Sequence, residues 1–245
     1  MNVRRYLIPL LVAAVCYGAI AFDSQTSGGG TATLSKAALV HGANVLVLAD
    51  CGAYTGYADS MKIGTTKMTL LHDTTYLGVR STAFYLWATA SGTDTVYCYT
   101  HASVSPHAWV AVAYTGCING SSFYEGWAKG MKNHNDPCSL AVTVGAGTAD
   151  RLVIGLNAYV AGANTSTAIA VAPYNGETER SESDQSGTSK RSASVQAEEY
   201  SSSAGHAVSA IGTGGANPLY GLCWAFALLP YVAPATSTGN FFLMF

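Results

Sequence analysis

Charge is what this chain has least of. Charged residues make up 11% of its 245 positions, against roughly 25% in an ordinary globular protein. Nothing basic clusters beyond Arg4-Arg5, so the concentrated positive face that phosphate neutralisation needs is missing, which argues against a nucleic-acid partner. Helix signals are nearly absent as well: no capping box leads into a sustained 3.6-residue period. The six cysteines (Cys16, Cys51, Cys98, Cys117, Cys138 and Cys223) follow no metal-ligand spacing and no C-x-x-C pattern. No nucleophile elbow and no D-x-D-x-D-G calcium loop occurs. The expectation is therefore a chain with no cofactor, no metal and no enzymatic activity.

What fills the space is apolar, small and hydroxylated. Hydrophobic residues account for 49%, with 26 Gly and 15 Tyr. Short apolar or alternating runs recur between Gly, Ser, Asn and Asp, the pattern of an all-β sandwich. Strands are expected at 19–23, followed by a turn at Gly28-Gly29-Gly30, then at 31–35, 44–49, 57–63 and 67–71 around a Gly64 turn. Further strands fall at 83–88, 95–100, 109–114, 140–144, 151–159, 195–200, 206–211 and 220–229. Residues 117–138 read as a polar loop, and the hydrophilic stretch 175–190 as a solvated polar strand or loop. Strands this short need both sheet faces to build a core, which favours two packed antiparallel sheets over one open sheet. No tandem repeat stands out, and one sandwich domain is expected over 19–232.

The two ends read differently. Residues 1–18 open with Arg4-Arg5 and run uncharged to Ala19-Ile20-Ala21, the grammar of a signal peptide. If Ile20 and Phe22 belong to the first strand, cleavage after Ala21 would halve that strand, and 1–18 becomes an assembly arm instead. The segment falls short of the roughly 20 apolar residues of a membrane span, so a membrane partner is expected only if it persists as an anchor. Residues 233–245 end in Phe241-Phe242-Leu243-Met244-Phe245, an apolar arm that water does not favour. Phe241, Phe242 and Phe245 are accordingly expected to contact a partner.

Within the sandwich, Phe123, Tyr124 and Trp127 sit in the long polar loop, where they stack on a ligand or partner, or pack beneath the loop. Cys117 and Cys138 flank that loop and are the candidate disulfide. In 95–100, Val96 and Cys98 alternate with Tyr97 and Tyr99, so one set faces outward. Glu177 and Glu179 are the best pair for glycoside hydrolysis, which needs two carboxylates across a sugar; a solvated polar segment is the plainer reading. His72 with Asp73, or His134 with Asn135 and Asp136, are the nearest approach to a metal set.

The run IAFDSQTSGGG, NVLVLADCG, YADSMKIGTTKMTLL, AFYLWATASGTDTVYCY, WVAVAYTGC, ADRLVIGLNAY and YGLCWAFALLPY resembles a jelly-roll-type β-sandwich module of tailed-phage virion proteins and exported bacterial surface proteins. The likeness spans about Ala19 to Pro230 and rests on turn and core patterns, so it implies a fold and not an activity. The long loop 117–138 and the Phe-rich tail depart from it. It implies a non-enzymatic virion structural protein, a capsid decoration or tail-associated subunit, whose partners are other virion proteins and further copies of itself. The alternative is a secreted or cell-surface adhesive module that binds carbohydrate. A glucanase-like enzyme ranks third.

Overall fold

The computed structural model describes residues 19–54, 56–101, 106–133, 138–143, 151–161, 163, 167–185, 193–202, 206–214 and 219–231. Among them there is no helix. The expected N-terminal segment 1–18 and the C-terminal arm 233–245, with Phe241, Phe242 and Phe245, lie outside the described residues.

Nine strands come first: β1 (Ala21–Gly30), β2 (Leu34–His41), β3 (Val45–Tyr54), β4 (Ala58–Ile63), β5 (Thr66–Lys67), β6 (Thr69–Tyr76), β7 (Val79–Ala88), β8 (Gly92–Thr100) and β9 (His107–Thr115). They form an inner sheet ordered β1-β9-β3-β7-β6 and an outer sheet ordered β2-β8-β4-β5. Eight more follow: β10 (Tyr124–Asn133), β11 (Cys138–Val142), β12 (Arg151–Ala161), β13 (Ile169–Pro173), β14 (Thr178–Gln185), β15 (Ala193–Ser202), β16 (His206–Gly214) and β17 (Leu219–Leu228). Their inner sheet is β10-β17-β12-β15-β14 and their outer sheet β11-β16-β13. The two orders are the same winding. Each half begins and ends side by side in its inner sheet and passes between sheets as it goes, which is a jelly roll. Each half is thus the antiparallel two-sheet sandwich that the sequence predicts, but the span read as one sandwich contains two.

The inner sheets pack face to face, so four sheets stack around three apolar layers. Alternation along each strand distributes side chains between layers. In β3, Leu46 and Leu48 enter the central layer, whereas Val45, Val47, Ala49 and Cys51 enter the first. In β12, Leu152, Ile154, Leu156, Ala158 and Val160 enter the central layer, and Val153, Tyr159 and Ala161 the third. Both strands therefore read as largely apolar runs, interrupted by Asp50 in one and Asn157 in the other, because both of their faces are covered. The inner sheets touch at Gly52, where an added Cβ would lie 2.8 Å from both Ala158 Cβ and Val195 Cγ2.

The expected Gly28-Gly29-Gly30 turn is corrected: all three glycines lie in β1, paired with Trp109, Ala108 and His107. Glycine is needed there for close approach. A Cβ on Gly28 would meet the Trp109 ring at 2.7 Å, and one on Gly29 the His107 carbonyl oxygen at 2.3 Å.

Candidate functional site

An open polar site lies at the mouth of the first sandwich, where β4 and β5 part from β6 and β7. It is a groove of about 450 Å³ lined by Tyr57, Asp59, Lys67, Asp73, Arg80 and Thr82, with Met68, Leu70 and Phe84 giving it apolar surface. One wall is a chain of contacts. Arg80 donates through Nε and Nη2 to both oxygens of Asp73, a bidentate fork, and this bonding raises the guanidinium pKa further. Its guanidinium lies 4.0 Å from the Tyr57 ring centre. Tyr57 stacks in turn on His101, 4.9 Å away and 11° from parallel, and His101 Nδ1 faces Asp59 Oδ2 at 3.7 Å. Tyr57 is thus held by both Arg80 and His101. The groove offers carboxylates, an ammonium and hydroxyls beside these ring contacts.

A second surface is the outward side of the first outer sheet. Leu34, Lys36, Ala38 and Val40 of β2 point away from the core, with Leu34 and Val40 exposed. Leu34 pairs with Tyr99 and Lys36 with Tyr97; on the other flank, Ser60 pairs with Tyr99 and Lys62 with Tyr97. The alternation read from 95–100 resolves with Val96 and Cys98 fully buried and the two tyrosines outward. Tyr97 and Tyr99 lie 6.3 Å apart, and Lys62 Nζ lies over the Tyr99 ring. The outward side of the second outer sheet is different in kind, carrying Ser139, Ala141, Ala170, Ala172 and Thr213 as its exposed residues among those described.

The aromatics expected to meet a ligand go inward. Phe123 is fully buried and packs against Tyr85, Trp87 and Tyr124. Trp127 stacks on His72 and on Trp224, 3.3 and 4.9 Å away. Tyr124 packs against Phe226. The segment read as a loop is largely strand β10, where Gly126 at φ +67° and a shift of register between Glu125 and Ala128 interrupt the alternation.

His72 and Asp73 do not come together as a metal set either. His72 lies against Trp127 and Trp224, where burial, aided by Lys129, lowers its pKa to about 4; Asp73 turns into the groove and binds Arg80. His134, Asn135 and Asp136 lie outside the described residues. No cluster of His, Cys, Asp and Glu that could hold a metal ion occurs among the described residues.

Glu177 and Glu179 lead into a buried carboxyl cluster between the sheets of the second sandwich. Glu177 accepts from the backbone N–H groups of Asn175 and Ser209 at 2.7 and 2.9 Å and lies 3.0 Å from His206 Nε2. Glu179 pairs across the sheet with Glu198. Burial, with Glu177 and Glu179 adding repulsion, raises Glu198 to about 8 although Asn157 donates to it at 2.9 Å. Burial likewise raises Glu182 to about 7. Glu198 is wholly buried, so this arrangement holds protons inside the fold and presents no carboxylate pair across an open cleft.

Sequence reasoning missed a serine–histidine contact: Ser35 Oγ lies 2.8 Å from His107 Nε2 and accepts from Trp109 Nε1 at 2.7 Å. Burial lowers His107 to about 4. With 1% of the histidine exposed and its Nδ1 unpartnered, the pair lacks both an approach for substrate and a group to orient the base. It fastens β2 to β9. Spacing in sequence gave no hint of it, because the residues stand 72 apart.

The expected Cys117–Cys138 bridge is also corrected at its first member. Cys117 is a buried free thiol, its Sγ donating to the Thr115 carbonyl oxygen at 3.8 Å, and burial raises it to about 12. The side chain of Cys138 is outside the described set. Cys223, read from sequence as a plain buried hydrophobe, is disulfide-bonded. No family model matches this chain, nor does any curated protein or solved structure.

Proposed function

We propose that this chain is a non-enzymatic structural protein of a virion, a capsid decoration or tail-associated subunit of a tailed phage, working through protein–protein contacts. The observation that carries the reading is the outward ladder of Leu34, Val40, Tyr97 and Tyr99 flanked by Lys36 and Lys62. Aromatic rings and aliphatic side chains on a flat sheet are what protein interfaces use. Jelly rolls recur in viral shells, which adds support by analogy of fold. Two of them sharing one central apolar layer make a rigid block, suited to presenting a fixed face to neighbours.

The test is a Tyr97→Glu/Tyr99→Glu variant, followed through assembly. Its secondary structure and melting point are expected to stay near those of the unmodified chain, while its copy number on purified particles falls at least tenfold. Unchanged incorporation, or absence of the unmodified chain from purified particles, overturns the proposal.

A second reading, an exported or cell-surface carbohydrate-binding module, draws on the groove and no longer on the buried Phe123 and the half-buried Tyr124 and Trp127. Asp59, Asp73, Lys67 and Thr82 supply the donors and acceptors that sugar hydroxyls take. Glycan-array binding abolished by Asp59→Asn with Lys67→Ala favours this reading; a blank array removes it.

A further inference from the structure

We infer that Cys51 and Cys98 are the site of a second disulfide, which ties the two sheets of the first sandwich together. Cys51 belongs to β3 in the inner sheet and Cys98 to β8 in the outer sheet. Their sulfurs meet across the first apolar layer at 3.6 Å. Both are essentially fully buried among apolar neighbours that include Val47, Met61, Val96 and Ala111. Both are free thiols in the structure, and Cys98 Sγ donates to Cys51 Sγ. A shift of about 1.5 Å, within reach of small side-chain adjustments, brings such sulfurs to the ~2.05 Å of a bond.

A second cysteine site points the same way. Cys223 is disulfide-bonded and sits in the third apolar layer, between the inner and outer sheets of the second sandwich. Conditions that oxidise it also reach Cys51 and Cys98 in the same folding chain. The oxidant is a small or protein disulfide, such as oxidised glutathione. One cysteine thiolate attacks it, forming a mixed disulfide and releasing one glutathione thiol. The second cysteine thiolate then attacks the protein sulfur of that mixed disulfide and expels the other glutathione. Two protein thiols lose two electrons and two protons, and one glutathione disulfide gains them as two thiols.

Timing follows from burial. Once the sandwich closes, neither sulfur is accessible, and the neighbouring Cys98 together with burial pushes the Cys51 thiol well above its ordinary range. Exchange needs a thiolate, so the bond forms while the sheets are closing. The reduced native protein, by contrast, resists oxidation. Cys117, a buried free thiol whose Sγ donates to the Thr115 carbonyl oxygen, serves as an internal control.

The experiment refolds the full chain from denaturant in a glutathione redox buffer, quenches with acid, alkylates in denaturant and maps peptides without reduction. The expected result is a cross-linked pair of peptides containing Cys51 and Cys98, with Cys117 alkylated. Alkylation of both Cys51 and Cys98, or their pairing with other cysteines, overturns the inference. A second measurement isolates the bond energetically. In a Cys223→Ala background, dithiothreitol should lower the melting midpoint by on the order of 10 °C, since the bond closes a loop between residues 47 apart. Adding Cys51→Ala should abolish that response. No response in the Cys223→Ala protein overturns the inference; should that variant fail to fold, the peptide map of the unmodified chain decides.

Discussion

Asp50 lies where the two sandwiches meet. Trp224 Nε1 donates to Ser81 Oγ at 2.5 Å, and Ser81 Oγ donates to Asp50 Oδ1 at 2.8 Å; Oδ2 has no partner. Burial raises the carboxyl from 3.8 to about 6, against the smaller opposing pull of Ser81. The folded chain thus holds this proton more tightly than the unfolded chain. The stability it contributes is complete below about pH 4 and is lost as pH rises through 6, about 3 kcal/mol at most. Asp50→Asn should remove that loss, so the melting midpoints of variant and parent converge near pH 4 and separate by several degrees at pH 7.5. Parallel pH profiles would sink the assignment. Glu198 obeys the same sign over a wider window, from 4.5 to about 8. Glu198→Gln should therefore gain most at pH 8 to 9, as urea midpoints measured at pH 5 and 9 would show; an equal gain at both would contradict it. Glu177 and Glu179 were legible in sequence as a carboxylate pair. Glu198 was not, because it reaches them only through the pairing of β14 with β15.

Strand β13 poses a problem at the next scale. Its counterpart β4 is covered by β5, through Lys62 with Lys67 and Ile63 with Thr66. In the second sandwich the corresponding position is empty among the described strands, so β13 is an edge of its sheet. Bare edges invite pairing with other chains. Side chains of the inner sheet take the missing strand's place: Val171 N donates to Glu182 Oε1 at 2.7 Å, and Gln196 Nε2 donates to the Val171 carbonyl oxygen at 3.0 Å. Gln196→Ala leaves that buried carbonyl unpaired and should cost about 2–3 kcal/mol by urea denaturation, with light scattering rising on storage. A loss within 0.5 kcal/mol would show that the contact is idle. Composition explains why 175–190 reads as a polar strand or loop without a core face. Its inward positions in β14 are Ser181 and Ser183, polar residues facing the other sandwich, with Ser183 Oγ donating to the Gly28 carbonyl oxygen at 2.7 Å. Periodicity of apolar residues cannot reveal a strand whose buried face is built of serine. Where the buried face is apolar, as with Val96 and Cys98 in β8, alternation located it.

For the whole molecule, the duplication escaped sequence reading for a physical reason. Strands β9 (HAWVAVAYT) and β17 (LYGLCWAFAL) occupy equivalent places, yet the winding requires only that apolar side chains alternate between two covered faces. Trp109 points into the first layer and Trp224 into the central one, so even the tryptophans do not correspond. The shared central layer has an energetic consequence. Leu46, Leu48, Val110 and Val112 of one half bury against Leu152, Ile154, Leu156, Leu222 and Phe226 of the other. Unfolding either half would expose the inner face of its neighbour, so the described core should melt as one unit. Trp224→Phe leaves Trp109 to report the first layer, and Trp109→Phe leaves Trp224 to report the central layer, with Trp87 and Trp127 replaced by Phe in both. Relative to far-ultraviolet circular dichroism of the same variant, each fluorescence transition should coincide in urea midpoint. Gly52→Val then tests the coupling directly, because its side chain would drive into Ala158 and Val195 across the junction. It should lower the midpoint of both reporters together, by about 1–3 kcal/mol. Separate midpoints, or a shift confined to one reporter, would mean that the two jelly rolls fold as independent domains.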